Sequence, residues 1–385
     1  MKRVYFSDVH MGKHLDNMGA NEYVWLDIKD AFRSFLDYLA TSDADEVVIV
    51  GDFLDNWVVP IDVKPPTFLD IINDESNRAI RNSLVNLSNN KNVIYLPGNH
   101  DQTVDRNSVK TCFPNIRYGS DDSGSLVYKV PDEKIVIEHG TSHAMFNGPD
   151  PAYKLPLGYF ISRVEATRVA RIGKEMSATA SIAYFLAHEA NSLVKKIPLA
   201  EDTFNAVIED SAAAGIKPSD PVWLDPSYTD INSLLDPQGD GFITLGEIRD
   251  KYADICEQWS NPDLGSAEAA ACDIDNLTYI TDLYMNNGAG IVIMGHTHTE
   301  ACITYPKDSG KIYANCGSWC KKAKTPIYTM NPTGTFLDIK TSQASGIFIE
   351  TVTSKGVVTV TPKYWDASNR RPADNGSSLS CIIQD

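Results

Sequence analysis

One arrangement occurs three times in the first hundred residues. A short apolar run stops at a polar motif, and an amphipathic stretch leads on to the next run. The runs are Arg3–Phe6, Val47–Val50 and Val93–Leu96. They stop at Ser7-Asp8-Val9-His10, Gly51-Asp52-Phe53-Leu54-Asp55 and Gly98-Asn99-His100-Asp101. Runs this short, with a β-branched residue in each, read as buried strands. Between them, Trp25, Ile28, Phe32, Phe35, Leu36 and Leu39 recur at helical spacing over 22–40, and residues 69–87 show the same periodicity. Strand, helix, strand in this order predicts βαβ units and a parallel sheet, so the fold class is α/β. Ligands of such sheets bind at the carboxyl ends of the strands, where all three motifs stand.

Two further strands, Leu126–Val130 and Ile135–Glu138, lead to His139-Gly140. The pattern then turns mainly helical, broken by turns such as Lys217-Pro218 and Asp225-Pro226. Strands resume at Ile291–Met294, which ends in Gly295-His296-Thr297-His298, and continue at Ala301–Thr304 and Ile312–Ala314. The polar stretch Ser368–Ser380 reads as loop. The expected organisation is one α/β domain, 1–148 plus 287–385, with a helical insertion over 149–286.

The net charge of −17 argues against duplex nucleic acid as a partner, because a chain this acidic repels a phosphate backbone. It suits a protein that binds cations. The seven cysteines are odd in number and show no framework, so they read as reduced thiols. Cys316 and Cys320 lack a second pair of matching spacing, which argues against a zinc knuckle. MKRVYFSDVH shows no signal-peptide pattern, and no apolar run approaches the ~20 residues that cross a bilayer. A cytoplasmic location without a membrane span is expected. Oligomeric state is not legible.

Five of the eight histidines lie in the motifs Asp8-x-His10, Gly98-Asn99-His100-Asp101, His139-Gly140 and His296-Thr297-His298, and Asp52 and Asp55 join them. Imidazole and carboxylate together suit manganese, iron, cobalt and zinc. In an extended segment, Asp8 and His10 point to the same side, as do His296 and His298, so each pair offers two ligands to one volume. Asp8-x-His10 or Gly51-Asp52-x-x-Asp55 alone reads as a turn, and Gly98-Asn99-His100-Asp101 is a stronger signal. Together, each at a strand end, they read as a metal site.

The set resembles the calcineurin-like metallophosphoesterase family, over the outer domain and not the insertion. The resemblance implies a β-sandwich flanked by helices (α-β-β-α) with two divalent metals at one edge. Asp8, His10, Asp52 and His298 would hold one ion. Asp52, Asn99, His139 and His296 would hold the other, with Asp52 bridging. The pair would activate a hydroxide to cleave a phosphoester bond of a small phosphorylated substrate, monoester or diester. Manganese is the expected metal, with iron or zinc as alternatives. His100 would give a proton to the leaving oxygen, Asp101 would fix the His100 imidazole, and Asp55 would support the ligands from behind. Competing readings are a nuclease on single strands, a nucleotide-sugar pyrophosphatase, and a scaffold that has lost its chemistry.

Ser7-Asp8-Val9-His10-Met11-Gly12, Gly51-Asp52-Phe53-Leu54-Asp55-Asn56-Trp57 and Asn315-Cys316-Gly317-Ser318-Trp319 are locally similar to the UDP-2,3-diacylglucosamine hydrolases. Those enzymes carry Arg where this chain has His100, and they lack so long an insertion, so their substrate is not carried over. His143, Lys321, Lys322 and Lys324 are candidates for a substrate phosphate, or plain surface residues.

In the insertion, Arg163, Arg168, Arg171 and Lys174 read as a solvated helix face, or as a cap facing an anion. Residues 236–247 have the layout of an EF-hand loop. Asp236, Gln238, Asp240, the Phe242 carbonyl, Thr244 and Glu247 are the candidate calcium ligands, and Gly241 stands at the sharp turn. Gln238 departs from the usual Asp or Asn, no second hand is present, and a polar turn is the other reading.

Overall fold

The computed structural model describes residues 1–13, 28–119, 126–141, 147, 155–172, 212–227, 234–259, 281–298, 300–305, 309–319, 328–330, 336–338 and 346–383. In chain order the strands are β1 (Lys2–Phe6), β2 (Glu46–Val50), β3 (Asn92–Leu96), β4 (Ile116–Tyr118), β5 (Tyr128–Val130), β6 (Ile135–Ile137), β7 (Pro221–Trp223) and β8 (Phe242–Thr244). They continue with β9 (Ile291–Met294), β10 (Glu300–Thr304), β11 (Ile312–Cys316), β12 (Tyr328–Met330), β13 (Phe336–Asp338), β14 (Ile347–Ser354), β15 (Val357–Asp366), β16 (Arg371–Asp374) and β17 (Leu379–Ile382).

Two sheets are stacked. The larger has the order β16-β15-β14-β1-β2-β3-β4, with β17 also on β15, and the smaller β10-β11-β9-β6-β5. β1 to β4 run parallel, as do β6, β9 and β11. The apolar runs are continuous because both faces of the larger sheet are covered. Val47 and Ile49 of β2 pack with Phe32, Phe35 and Leu36 of the helix Lys29–Thr41. Val48 and Val50, one residue out of phase, pack with Ile137, Ile291 and Ile293 of the smaller sheet. Each such side chain contributes roughly 1.5–3 kcal/mol on burial. On the outer face of the smaller sheet, Met285 of the helical turn Thr281–Met285 packs against Val292 and Tyr313. The α/β sandwich expected from sequence is the observed architecture.

The expected helix over 22–40 is described from Lys29 to Thr41, and Trp25 lies outside the described residues. Residues 69–87 do not form one helix. The helix Phe68–Ile72 ends at Asn73, the Asp74 carboxylate accepts the Ser76 N–H at 2.9 Å, and a new helix runs Arg78–Asn90. An Asn-Asp pair competes for its own backbone and ends the first helix.

The polar tail is corrected from loop to strand. β16 and β17 pair with opposite ends of β15, from Asp366↔Arg371 and from Val357↔Ile382. β15 extends far enough to leave backbone groups open, and an edge strand that satisfies them need not be apolar.

Within 149–286, the stretch expected to be an insertion, the described residues include the helices Leu157–Ile172 and Leu245–Trp259 and the antiparallel pair β7–β8. No described helix is long and apolar enough to cross a membrane. Among the described residues, Cys112, Cys302, Cys316 and Cys381 are free thiols.

Candidate metal centre

The motifs follow β1, β2, β3, β6 and β9, all at the carboxyl ends of parallel strands of the two sheets. The β1–β2 and β6–β9 registers bring those ends to one edge of the sandwich. The loops are tight. Gly51 has φ +81°, and a Cβ there would lie 2.4 Å from the His139 ring; a Cβ on Gly98 would lie 2.2 Å from Asp52 Oδ1. Both positions require glycine for close approach.

Asp8, His10, Asp52, His296 and His298 all adopt positive φ, between 49° and 70°. Left-handed backbone at non-glycine residues is costly and clusters at functional sites. It also overturns the alternation argument, because Asp8-x-His10 and His296-x-His298 are not extended. Asp8 and His10 still converge, whereas His296 and His298 part into two different groups.

The first group is Asp8, His10, Asp52 and His298, with ligand atoms all within 4.8 Å of one another. His10 Nε2 lies 3.0 Å from His298 Nε2, and Asp8 Oδ1 lies 3.1 Å from His298 Nε2. The second group is Asp52, His139 and His296. Asn99 Oδ1 joins it, 3.0 Å from His296 Nδ1 and 3.3 Å from His139 Nε2, and Thr141 donates its hydroxyl to the same oxygen at 3.3 Å. Asp52 belongs to both groups, with Oδ2 3.2 Å from His139 Nε2 and 3.7 Å from His10 Nε2.

Each carboxylate has one oxygen fixed by an amide and the other turned toward the rings. Asp52 Oδ1 accepts the His100 N–H at 2.8 Å. Asp8 Oδ2 accepts the His296 N–H at 3.1 Å and the Ser7 hydroxyl. The far ring nitrogens are fixed as well. His139 Nδ1 donates to the Val50 carbonyl at 2.7 Å, and His10 Nδ1 lies 2.9 Å from Asp55 Oδ2. Both partners take Nδ1 and turn Nε2 inward, toward the ligand groups, as metal-binding imidazoles require.

Four imidazoles, two carboxylates and an amide oxygen, aimed at two adjoining points, fit two divalent ions of borderline softness. The electrostatics agree. Burial alone would lower the His139 pKa, but the Asp52 and Asp8 carboxylates hold it up at about 9. Burial pushes the other way on Asp52 and Asp8, and the surrounding histidines keep both well below the usual carboxylate range. A site that holds protons this way offers the same positions to cations.

His100 stands beside the first group, its Nδ1 3.1 Å from Asp55 Oδ2 in an ion-pair approach rather than an in-line hydrogen bond. The expectation that Asp101 fixes this ring is corrected. The Asp101 carboxylate accepts from the amides of Gly98 (2.6 Å), Phe53 (2.9 Å), Leu54 (3.2 Å) and Asp52 (3.3 Å), and from the Tyr95 hydroxyl. It stitches two motif loops together. Burial and the nearby Asp52 anion raise its pKa to about 6 against the pull of those donors.

In the insertion, Asp236 Oδ1 accepts the Gly239 N–H at 2.9 Å and Oδ2 accepts the Gly241 N–H, while Glu247 Oε2 accepts from the Thr244 N–H at 2.9 Å and hydroxyl at 2.7 Å. Gly241 has φ +81° at the expected turn, Phe242 opens β8, and Gln238 and Asp240 are exposed. Asp236, Asp240 and Glu247 are not among the convergent ligand groups of the described residues. His143, Lys174, Lys321, Lys322 and Lys324 lie outside the described residues.

Residues 1–171 match the family model of the calcineurin-like phosphoesterases. A search of curated protein sequences found no match. Among solved structures, a dimetal phosphatase from Danio rerio is 11% identical, covering 100% of this chain and 99% of that one, with a TM-score of 0.39. A conserved protein from Streptococcus pneumoniae, described as a phosphoesterase from its sequence, is also 11% identical, covering 99% and 97%, with a TM-score of 0.30. The Vps29 protein of Entamoeba histolytica is 11% identical over 98% and 100%, with a TM-score of 0.31. These likenesses are loose.

Proposed function

We propose that the chain, whose residues 1–171 match the family model of the calcineurin-like phosphoesterases, hydrolyses a small phosphodiester or phosphomonoester at a centre for two divalent metal ions. The observation that carries this reading is Asp52, whose Oδ2 faces both ligand groups while Oδ1 is fixed by the His100 amide. Asp8, His10, Asp52 and His298 would hold one ion, and Asp52, Asn99, His139 and His296 the other, manganese first, with iron or zinc as alternatives.

Bound there, the ions would supply Lewis acidity to the phosphoryl group and lower the pKa of a water toward ~7. The rest falls to the chain. Asp55 holds His10 from behind, so that its Nε2 faces the first position. His100 stands beside that position without belonging to either ion, and it donates a proton to the leaving oxygen. Asp101 keeps the two motif loops together.

A scaffold role leaves His100 and its Asp55 contact without a purpose. A single-strand nuclease or a nucleotide-sugar pyrophosphatase would use the same centre, and both are outcomes of the substrate test. Asp236, Gln238, Asp240, Phe242, Thr244 and Glu247 are read as one calcium loop that stabilises the insertion.

The test is hydrolysis of bis-p-nitrophenyl phosphate and p-nitrophenyl phosphate by metal-stripped protein refilled with Mn²⁺. Cleavage of either supports the reading, and the preferred ester assigns diester or monoester. Cleavage of neither removes the phosphoester reading and leaves the pyrophosphate and scaffold readings.

A further inference from the structure

The hydrophobic core of the insertion reaches beneath the site. Trp57 and Ile61 belong to the loop that follows β2, yet both pack with Tyr159, Phe160, Val164 and Val222 of the insertion rather than with the helices that cover the sheet. That loop is held by one buried side chain. The Arg163 guanidinium donates to the carbonyls of Val59, Pro60 (2.7 Å), Val63 (2.6 Å) and Trp223 (2.7 Å), and to the Tyr159 hydroxyl at 2.7 Å. The Thr167 hydroxyl accepts the Ile61 N–H at 2.8 Å. Asn56 donates to Asp225 Oδ2 at 2.6 Å and to Thr103 Oγ1 at 3.3 Å, which ties the loop to the segment after His100. Arg163 is therefore neither solvated nor turned to a substrate, and both sequence readings of it are corrected. Arg168 is also buried, while Arg171 is exposed, 3.2 Å from Asp62.

This clamp fixes Trp57. Its indole lies nearly parallel over the His100 imidazole, with centroids 4.4 Å apart and planes at 29°. Tyr159 meets the same indole edge-on, with centroids at 5.8 Å and planes at 88°. A column Tyr159–Trp57–His100 thus runs from the insertion to the proposed proton donor. A donor must stand within hydrogen-bond reach of the oxygen it serves, and a misplacement of about 1 Å can cost about a hundredfold in rate.

We propose that Trp57, Tyr159 and Arg163 are positioning residues for His100, and that the insertion is the back wall of the site, holding the imidazole toward the leaving oxygen. The proposal rests on the phosphoester-hydrolase reading for what the proton does, but the placement of the ring can be tested without it.

Two conservative variants of the full chain, Trp57→Phe and Tyr159→Phe, suit the test. With Mn²⁺ bound, kcat is compared on phenyl and p-nitrophenyl esters of the same class, since only the poorer leaving group depends strongly on a proton. The phenyl to p-nitrophenyl ratio should fall about tenfold in each variant, with no further fall when either change is added to His100→Ala. Equal losses on both esters, or a further fall in the His100→Ala background, would overturn the proposal. The second readout needs neither metal nor turnover. In chain with ¹³C-labelled histidine rings, the signal lost in His100→Ala is assigned to His100. Trp57→Phe should move that signal, because a benzene ring in place of the indole changes the ring current on the imidazole stacked 4.4 Å away. An unmoved signal would refute the column. Wild-type protein inactive on both esters speaks against the hydrolase reading, while the ring signal still decides the placement.

Discussion

Asp55 sets one carboxylate oxygen, Oδ2, 3.1 Å from Nδ1 of His100. The same oxygen lies 2.9 Å from His10 Nδ1, and Oδ1 accepts the amide N–H groups of Trp57 and Val58, each at 2.9 Å. One side chain thus orients a metal ligand, the proposed proton donor and the loop that carries Trp57. Asp55→Asn keeps the shape and the amide bonds while removing the charge. Metal affinity should fall by about 10- to 100-fold, as for other groups behind a ligand. Turnover of esters with poor leaving groups should fall further than turnover of p-nitrophenyl esters. Metal titration followed by calorimetry and the ester comparison check this; unchanged affinity would remove Asp55 from the centre.

Among the described residues, only Asp52 belongs to both groups, so its loss should not be local. Asp52→Ala should lower metal content at both positions, with turnover down by a factor of about a thousand or more, since the clamp on the phosphoryl group is lost. Elemental analysis of the purified variant measures the first effect. A full complement of two ions would show that Asp52 does not bridge.

The metal-free protein should lose stability as pH rises from about 6.5 to 9. His139 has its pKa raised to about 9, above an unfolded value of roughly 6.5. A group raised on folding stabilises fully below its unfolded pKa, and that contribution is lost as pH climbs through the folded one. Asp52 and Asp8 act in the opposite sense, because their depressed pKa values give stability that is lost only in acid. Metal ions need the neutral ring, so the metal-loaded protein should not show the alkaline loss. Melting temperatures from pH 6 to 9.5, with chelator and with Mn²⁺, make the comparison, and a flat profile with chelator would contradict it.

Calcium should raise the melting temperature of the wild type and not of Glu247→Ala, which removes the ligand at the last position of the loop. The variant should match the wild type when chelator is present. No calcium-dependent shift in the wild type would reduce residues 236–247 to a polar turn.

The strands were legible because both faces of the larger sheet are covered, so Val47 to Val50 read as one apolar run. The residues of the centre were legible because each motif sits where a parallel strand ends. What lay hidden was set by backbone shape and by contacts distant in sequence. Alternation suggested that Asp8 and His10 share a side, but a left-handed backbone is what brings them together. Asp101 is next to His100 in sequence, yet its carboxylate turns back to the loop amides, and Asp55, forty-five positions earlier, meets the ring. Arg163 looked like a surface charge because helical periodicity cannot show that carbonyls of another loop surround it.

A single centre for two ions is proposed to perform the hydrolysis. The most direct measurement is turnover of the better p-nitrophenyl ester by metal-stripped protein as Mn²⁺ is added back, with bound metal counted in the same samples. Turnover should be negligible in the stripped protein and should rise until it levels off at two bound ions per chain. Turnover that persists without metal, or that is complete at one ion per chain, would contradict the two-ion centre.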